Sequence, residues 1–186
     1  MNKDEIRKEM KRARAGIVGE ERAVRSLAAQ KLLCATKEYI RAESVMLYFP
    51  LGSEIDTSYI SERAFADGKR VIYPVTDEAS GRMAAVEVTN NSEFVRGGFG
   101  IREPRGEEYT GKIDLIIVPG VAFDRRGGRL GFGKGCYDAF LDDTDAFKIG
   151  LCYGIQLSDK LPTEEHDVQM DMIVTEREII EIKKNA

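Results

Sequence analysis

The chain has a single histidine among its 186 residues, so sites that need several imidazole ligands are excluded. That residue, His166, leaves a Ser-His-Asp relay formally open, but no G-x-S-x-G nucleophile elbow occurs. Cysteine is scarce too. Cys34, Cys136 and Cys152 are odd in number and lack metal-ligand spacing, which points to reduced thiols and a cytoplasmic setting. A thiolate nucleophile at Cys136 stays open, though bystander thiols are commoner. No apolar run is long enough to cross a bilayer; the best, Leu115–Val118, is broken by Pro119-Gly120. The first residues, Asn2-Lys-Asp-Glu-Ile6, do not form the apolar core of a signal peptide. Excess positive charge is also missing. The net charge of −4 argues against non-specific binding to nucleic acid or an anionic membrane.

What is present is an ordinary globular balance, 42% hydrophobic and 32% charged residues, in a length that suits one domain over residues 1–186. Ile6, Met10, Ala13 and Ile17 recur at helical spacing, as do Val24, Leu27, Ala28 and Leu32, predicting two amphipathic helices within residues 3–36, parted near Gly19. Short apolar runs predict strands at 44–49, 71–75, 83–88, 115–118, 148–152 and 172–175. Asp56-Thr57 reads as the cap of a helix ending near Gly68. Strands alternating with helices predict an α/β fold, a three-layer α/β/α arrangement around a mostly parallel or mixed central sheet.

The densest feature is FDRRGGRLGFGKGCYDAFL, from Phe123 to Leu141, with Gly127, Gly128, Gly131, Gly133 and Gly135 among Arg125, Arg126, Arg129 and Lys134. Glycines allow backbone amides to turn in on a phosphate, cations neutralise it, and a helix beginning at the following residues would add its dipole. Gly128 to Lys134 matches the first seven positions of a P-loop, but Gly135 stands where a magnesium-binding Ser or Thr belongs. The dinucleotide fingerprint fails as well, at Cys136. The plain alternative is a solvated loop whose glycines serve turns, with Arg125 and Arg126 as turn residues. Lys3 and Arg7, four apart, share one helix face and could grip a polyphosphate or merely be solvated. Arg14, seven further on, falls on a similar face without an assigned role. Asp138 could hold magnesium or cap a helix.

The segment Arg129-Leu-Gly-Phe-Gly-Lys-Gly-Cys-Tyr-Asp138 resembles the nucleotide loop of the 5-formyltetrahydrofolate cyclo-ligase (5,10-methenyltetrahydrofolate synthetase) family. The rest of the chain agrees in order: Lys3 to Arg7, Tyr48 to Thr57, Gly100 to Pro104, Val118 to Asp124, Leu161 to Asp167 and Asp171 to Thr175. The resemblance implies an enzyme of one-carbon folate metabolism that uses ATP and Mg²⁺ to convert 5-formyltetrahydrofolate to 5,10-methenyltetrahydrofolate, releasing ADP and phosphate.

It also implies roles for individual residues. Lys134 and Arg129 would be catalytic. Lys3, Arg7, Arg129, Leu130, Gly131, Phe132, Gly133, Lys134, Gly135, Cys136 and Tyr137 would bind ATP. Phe49, Glu54 and Phe132 to Cys136 would bind the folate, with the Glu54 carboxylate accepting paired N–H groups of the pterin. Asp138 and Asp167 would hold the metal. Cys136 stands where the family usually has an aromatic residue, leaving Tyr137 or Tyr153 to supply a stacking face. A monomer acting on a small-molecule substrate, with no nucleic acid or membrane partner, is expected. Two rival readings are a binding protein without turnover and a sugar-phosphate isomerase or transferase on a similar fold; neither would show folate-dependent ATP hydrolysis.

Overall fold

A computed structural model describes residues 1–164 and 167–183. Three helices open the chain: α1 (Lys3–Ala15), α2 (Gly19–Cys34) and the short α3 (Lys37–Arg41). The start of α1 is set by a capping box. The Asn2 side chain accepts from the backbone N–H groups of Asp4 and Glu5, both at 3.0 Å, and Glu5 accepts from the Asn2 N–H at 2.9 Å.

The helix α2 forms as its periodicity predicts, but a different face is buried. Val24 and Leu27 are exposed, whereas Ser26, Ala29, Gln30 and Leu33 face inward. The reason is polar. Ser26 Oγ accepts from Asp56 N–H at 3.0 Å, and Gln30 Oε1 accepts from Tyr59 N–H at 3.0 Å and Ile60 N–H at 3.3 Å. The Gln30 bonds satisfy first-turn amides of α4 (Ser58–Ala66) and the Ser26 bond an amide just before it, so both polar side chains are buried with partners. Asp56 completes the start of α4 as expected, accepting from Thr57 N–H at 2.8 Å and Ser58 N–H at 3.1 Å.

The sheet begins with β1 (Ser44–Met46), β2 (Arg70–Thr76) and β3 (Met83–Val88), and continues after a detached hairpin of β4 (Phe94–Arg96) and β5 (Arg102–Pro104). Next come β6 (Leu115–Val118), β7 (Ala122–Asp124) and β8 (Arg129–Leu130). The helix α5 (Cys136–Asp142), then β9 (Phe147–Leu151), β10 (Leu157–Ser158), β11 (Met172–Val174) and β12 (Ile179–Glu181) complete the order. Seven strands form the main sheet in the order β12-β11-β9-β6-β1-β2-β3, parallel from β11 to β2 and antiparallel at both edges. The strands β10, β7 and β8 make a small separate sheet.

Alternation along the strands divides the core in two. Val45, Val71, Leu115, Ile117 and Ile149 pack with Leu33, Ile60 and Ala64 of α2 and α4. Met46, Ile72, Ile116 and Val118 pack on the other face with Leu141 of α5 and Phe123. This is the expected three-layer α/β/α arrangement. From β1 the chain winds one way to β2; from β6 it winds the other way to β9 and β11. The sheet therefore reverses direction between β1 and β6, and a crevice opens beyond the carboxyl ends of those two strands.

Candidate active site

Two loops leave the carboxyl ends of β1 and β6 and face each other across a cavity of ≈ 290 Å³. The loop after β1 is closed by its own bonds: Thr57 Oγ1 donates to the Tyr48 carbonyl at 2.7 Å, and the Tyr48 hydroxyl to that of Ile55 at 2.9 Å. Phe49 lies flat on Tyr73, ring centroids 4.2 Å apart and planes 14° off parallel. Glu54 is only 8% exposed. Its Oε2 accepts from Leu51 N–H at 2.8 Å, whereas Oε1 is buried and accepts no hydrogen bond. Burial pushes the Glu54 carboxyl up from an ordinary 4.5 to about 7, against the opposing pull of the Leu51 amide and the Arg14 charge. Sequence alone leaves Glu54 evenly poised between a surface and a site residue; the structure buries it.

The glycine-rich run divides at Arg129. Its first half is the β7–β8 hairpin, where Asp124 Oδ1 accepts from Arg126 N–H at 2.9 Å and from Gly128 N–H at 2.8 Å. Arg125 pairs with Glu178 at 2.7 Å. Gly128, the first glycine of the partial P-loop match, is therefore spent on a turn. From Arg129 onward the run borders the cavity. The Arg129 guanidinium meets Asp138 at 2.7 Å and lies 5.7 Å from the Tyr137 ring, and its buried Nε has no acceptor.

The glycines here have different duties. A Cβ on Gly131 would stand 2.9 Å from an Arg129 nitrogen. Gly133 sits at φ +98°, and a Cβ there would lie 3.3 Å from the Arg7 guanidinium carbon. Lys134 is exposed, with Nζ 3.2 Å from the centroid of Phe99. The following α5 has only seven residues, so its dipole adds less than the sequence suggested.

The helix α1 brings Lys3 and Arg7 to the same cavity. Arg7 Nε donates to the Gly131 carbonyl at 2.9 Å, and Lys3 Nζ reaches Asp167 at 3.0 Å and Glu164 at 3.3 Å. Each candidate site residue named from the sequence thus lines this one cavity, from Lys3 and Arg7 through Phe49 and Glu54 to the 129–138 run and Asp167. His166 lies outside the described residues. Tyr137 borders the cavity, while Tyr153 is fully buried in the core and cannot supply a face to a ligand. The sequence reading missed Phe99 and Glu103 as residues of this cavity. Phe99 and Glu103 line the cavity from the turn and strand β5, and Glu103 accepts from Thr76 N–H at 2.8 Å.

Asp138 and Asp167 offer the hard oxygen donors that magnesium prefers. Among the described residues no group of three or more His, Cys, Asp or Glu side chains gathers to hold a metal. Two carboxylates fit a magnesium ion whose remaining positions are filled by phosphate oxygens and water.

A family model described as the 5-formyltetrahydrofolate cyclo-ligase family matches residues 1–176. The chain belongs to this family. As an enzyme of the cyclo-ligase family it is 29% identical to the mouse 5-formyltetrahydrofolate cyclo-ligase, with 92% of each chain covered. It is 33% identical to the enzyme of Escherichia coli K12 over 76% of this chain and 82% of that one. A solved structure of 5,10-methenyltetrahydrofolate synthetase from Aquifex aeolicus superposes with a TM-score of 0.88 at 32% identity, covering 100% of this chain and 95% of the other. Membership places the chain among ligases of folate one-carbon chemistry and disposes of the isomerase reading. No helix among the described residues is long and apolar enough to cross a membrane.

Proposed function

We propose that the cavity binds ATP and 5-formyltetrahydrofolate side by side and closes the 5,10-methenyl ring with release of ADP and phosphate. One observation carries this reading: Glu54, a buried carboxylate one of whose oxygens accepts no hydrogen bond, and a glycine-rich cationic loop line the same cavity. Glu54 Oε1 is an acceptor awaiting a donor, and the N–H groups of a reduced pterin are donors. The Arg129–Lys134 loop with Arg7 and Lys3 offers the charge a triphosphate requires.

A formamide carbon is a poor electrophile because nitrogen donates into its carbonyl. In the proposed reaction the formyl oxygen accepts the γ-phosphoryl group, the neighbouring folate nitrogen attacks the activated carbon, and phosphate leaves as the ring closes. The protein supplies no covalent nucleophile. Glu54 and Phe49 fix the pterin, which aligns the formyl oxygen with the phosphoryl group. Lys134 places a mobile point charge, and Arg129 a planar fork, where negative charge gathers. Asp138 and Asp167 would hold magnesium, which would spread the charge of the phosphate oxygens.

Both carboxylates pair with cations assigned here to the nucleotide, Asp138 with Arg129 and Asp167 with Lys3. In the proposed complex Asp138 and Asp167 would hold the metal, while Arg129 and Lys3 would meet the charge of the nucleotide. The test is an assay that follows ADP release and methenyl absorbance together, with each substrate omitted in turn. Equal yields of both products, each dependent on ATP and on 5-formyltetrahydrofolate, are expected. ADP release that ignores the folate would overturn the reading.

A further inference from the structure

Arg14 is the most buried cation on α1, 4% exposed, yet it lies outside the lining of the cavity. Its Nε donates to Ser53 Oγ at 3.0 Å, on the loop after β1. One terminal nitrogen, Nη1, donates to the Gly120 carbonyl at 3.4 Å, in the turn that leaves β6, and stands 3.8 Å from Glu54 Oε1. One guanidinium therefore joins both loops that form the crevice, and it meets the cavity wall at Glu54 and at Phe132, whose ring centroid lies 6.0 Å from the guanidinium carbon. A buried guanidinium is costly to desolvate, and a structural tie between two loops could be made by neutral groups at lower cost. The charge itself calls for an account.

We propose that Arg14 is a positioning residue for folate binding: it draws the buried Glu54 carboxyl toward its charged form for the ligand, while fixing the β1 loop against the β6 turn. This rests on the reading of Glu54 as the pterin acceptor. The groups that face Glu54 are Arg14 from α1, the Leu51 amide of its own loop, Tyr48 from the chain after β1 and Tyr137 from α5. Both tyrosines are pushed up by burial and stay neutral in the working range, so Arg14 is the cation that favours the carboxylate.

The test compares Arg14→Met, Arg14→Lys, Glu54→Gln and the double variant Glu54→Gln/Arg14→Met. It measures steady-state kinetics from pH 5.5 to 9 with each substrate varied, and calorimetric binding of 5-formyltetrahydrofolate. Arg14→Met is expected to lower kcat/KM for the folate and folate binding by about tenfold or more at neutral pH, as when a charged hydrogen-bond partner is removed. The KM for ATP should stay within about twofold, since loss falls on one ligand's interactions. The acidic limb of the folate kcat/KM profile should move to higher pH, because Glu54 keeps its proton longer without the cation, and Arg14→Lys should bring it back. In the Glu54→Gln background, Arg14→Met should add little, the signature of two residues acting as one. If Arg14→Met fails to fold, Arg14→Gln removes the charge, keeps a donor to Ser53 and is read in the same way.

Equal losses for both substrates, an unmoved limb, or additive losses in the double variant would overturn the inference. Normal folate binding by Glu54→Gln would instead refute the assignment of the pterin site itself.

Discussion

Glu54→Gln should gain stability relative to wild type as pH rises, while depriving the protein of its folate. The carboxyl is 8% exposed, its Oε1 has no hydrogen bond, and burial raises it from 4.5 to about 7. A folded-state value above the unfolded one means that the folded protein holds a proton the unfolded chain releases. Wild-type stability from this group is therefore fully present below about pH 4.5 and is lost as pH rises through about 7. At 1.36 kcal/mol per unit the whole loss is about 3 kcal/mol, of which roughly 2.5 kcal/mol falls between about pH 5 and 8. Glutamine has no charge to bury, so its variant escapes this term.

The assay is urea unfolding of both proteins at several pH values across that window, without ligands. Every other titrating group is common to the two proteins and cancels in the difference. Whatever glutamine gains or loses in packing is a constant offset, so the slope of the difference isolates the buried charge. The variant should gain about 2.5 kcal/mol relative to wild type on going from about pH 5 to 8. Parallel stability curves would show that Glu54 is solvated or fully compensated, and the argument for an acceptor awaiting its ligand would fail. The same variant should bind 5-formyltetrahydrofolate about ten- to a hundredfold more weakly, with ATP binding spared, because one acceptor oxygen becomes a donor facing donors.

Lys134→Ala should lower kcat by about a hundredfold or more with an unfolding temperature within a few degrees of wild type, since an exposed loop lysine leaves no cavity behind. A normal kcat would remove Lys134 from the chemistry. Asp138→Asn keeps an acceptor for Arg129 but loses the charge a hard cation seeks, so the magnesium concentration for half-maximal rate should rise by about tenfold. Superimposable magnesium titrations would leave Asp138 as a partner of Arg129 alone. Gly133→Ala places a methyl group at φ +98° and 3.3 Å from the Arg7 guanidinium carbon, so the KM for ATP should rise about tenfold. An unchanged KM would mean that the loop and Arg7 adapt freely.

Much of the fold was legible because it follows local rules. The helical spacing in residues 3–36 and the short apolar runs of the parallel strands predicted most elements of the main sheet, and alternation with helices predicted its layers. What escaped depended on distant partners. The strand β12 has little reason to form except that Ile179 and Glu181 pair with β11. The β4–β5 hairpin encloses a turn in which Phe99 takes φ 55°, and its strands are too short for periodicity to register. The inward face of α2 was misjudged for the same reason: Ser26 and Gln30 are buried because α4, some thirty residues away, presents amides that need acceptors.

The candidate site shows the same division between residue type and pairing. Glycine and cation density located the Arg129–Asp138 run, and the cavity collects it with Lys3, Arg7, Phe49 and Glu54. Sequence could not show that Asp124 takes Gly128 out of the loop, nor that Arg129 and Asp138 pair with each other. Arg14 had a faint signal, its seven-residue spacing from Arg7 on the same helix face, but a cation every two turns is usually solvated. Only burial separates it from Arg12 or Lys8. The distinction has a physical consequence: a solvated arginine is interchangeable with lysine, whereas one that bridges Ser53, Gly120 and Glu54 has to keep its fork as well as its charge. Helix α1 is thus tied to the cavity twice, by Lys3 and Arg7, on the proposed nucleotide side, and by Arg14, on the proposed folate side. Displacing α1 should impair both substrates, whereas removing the Arg14 charge alone should impair one.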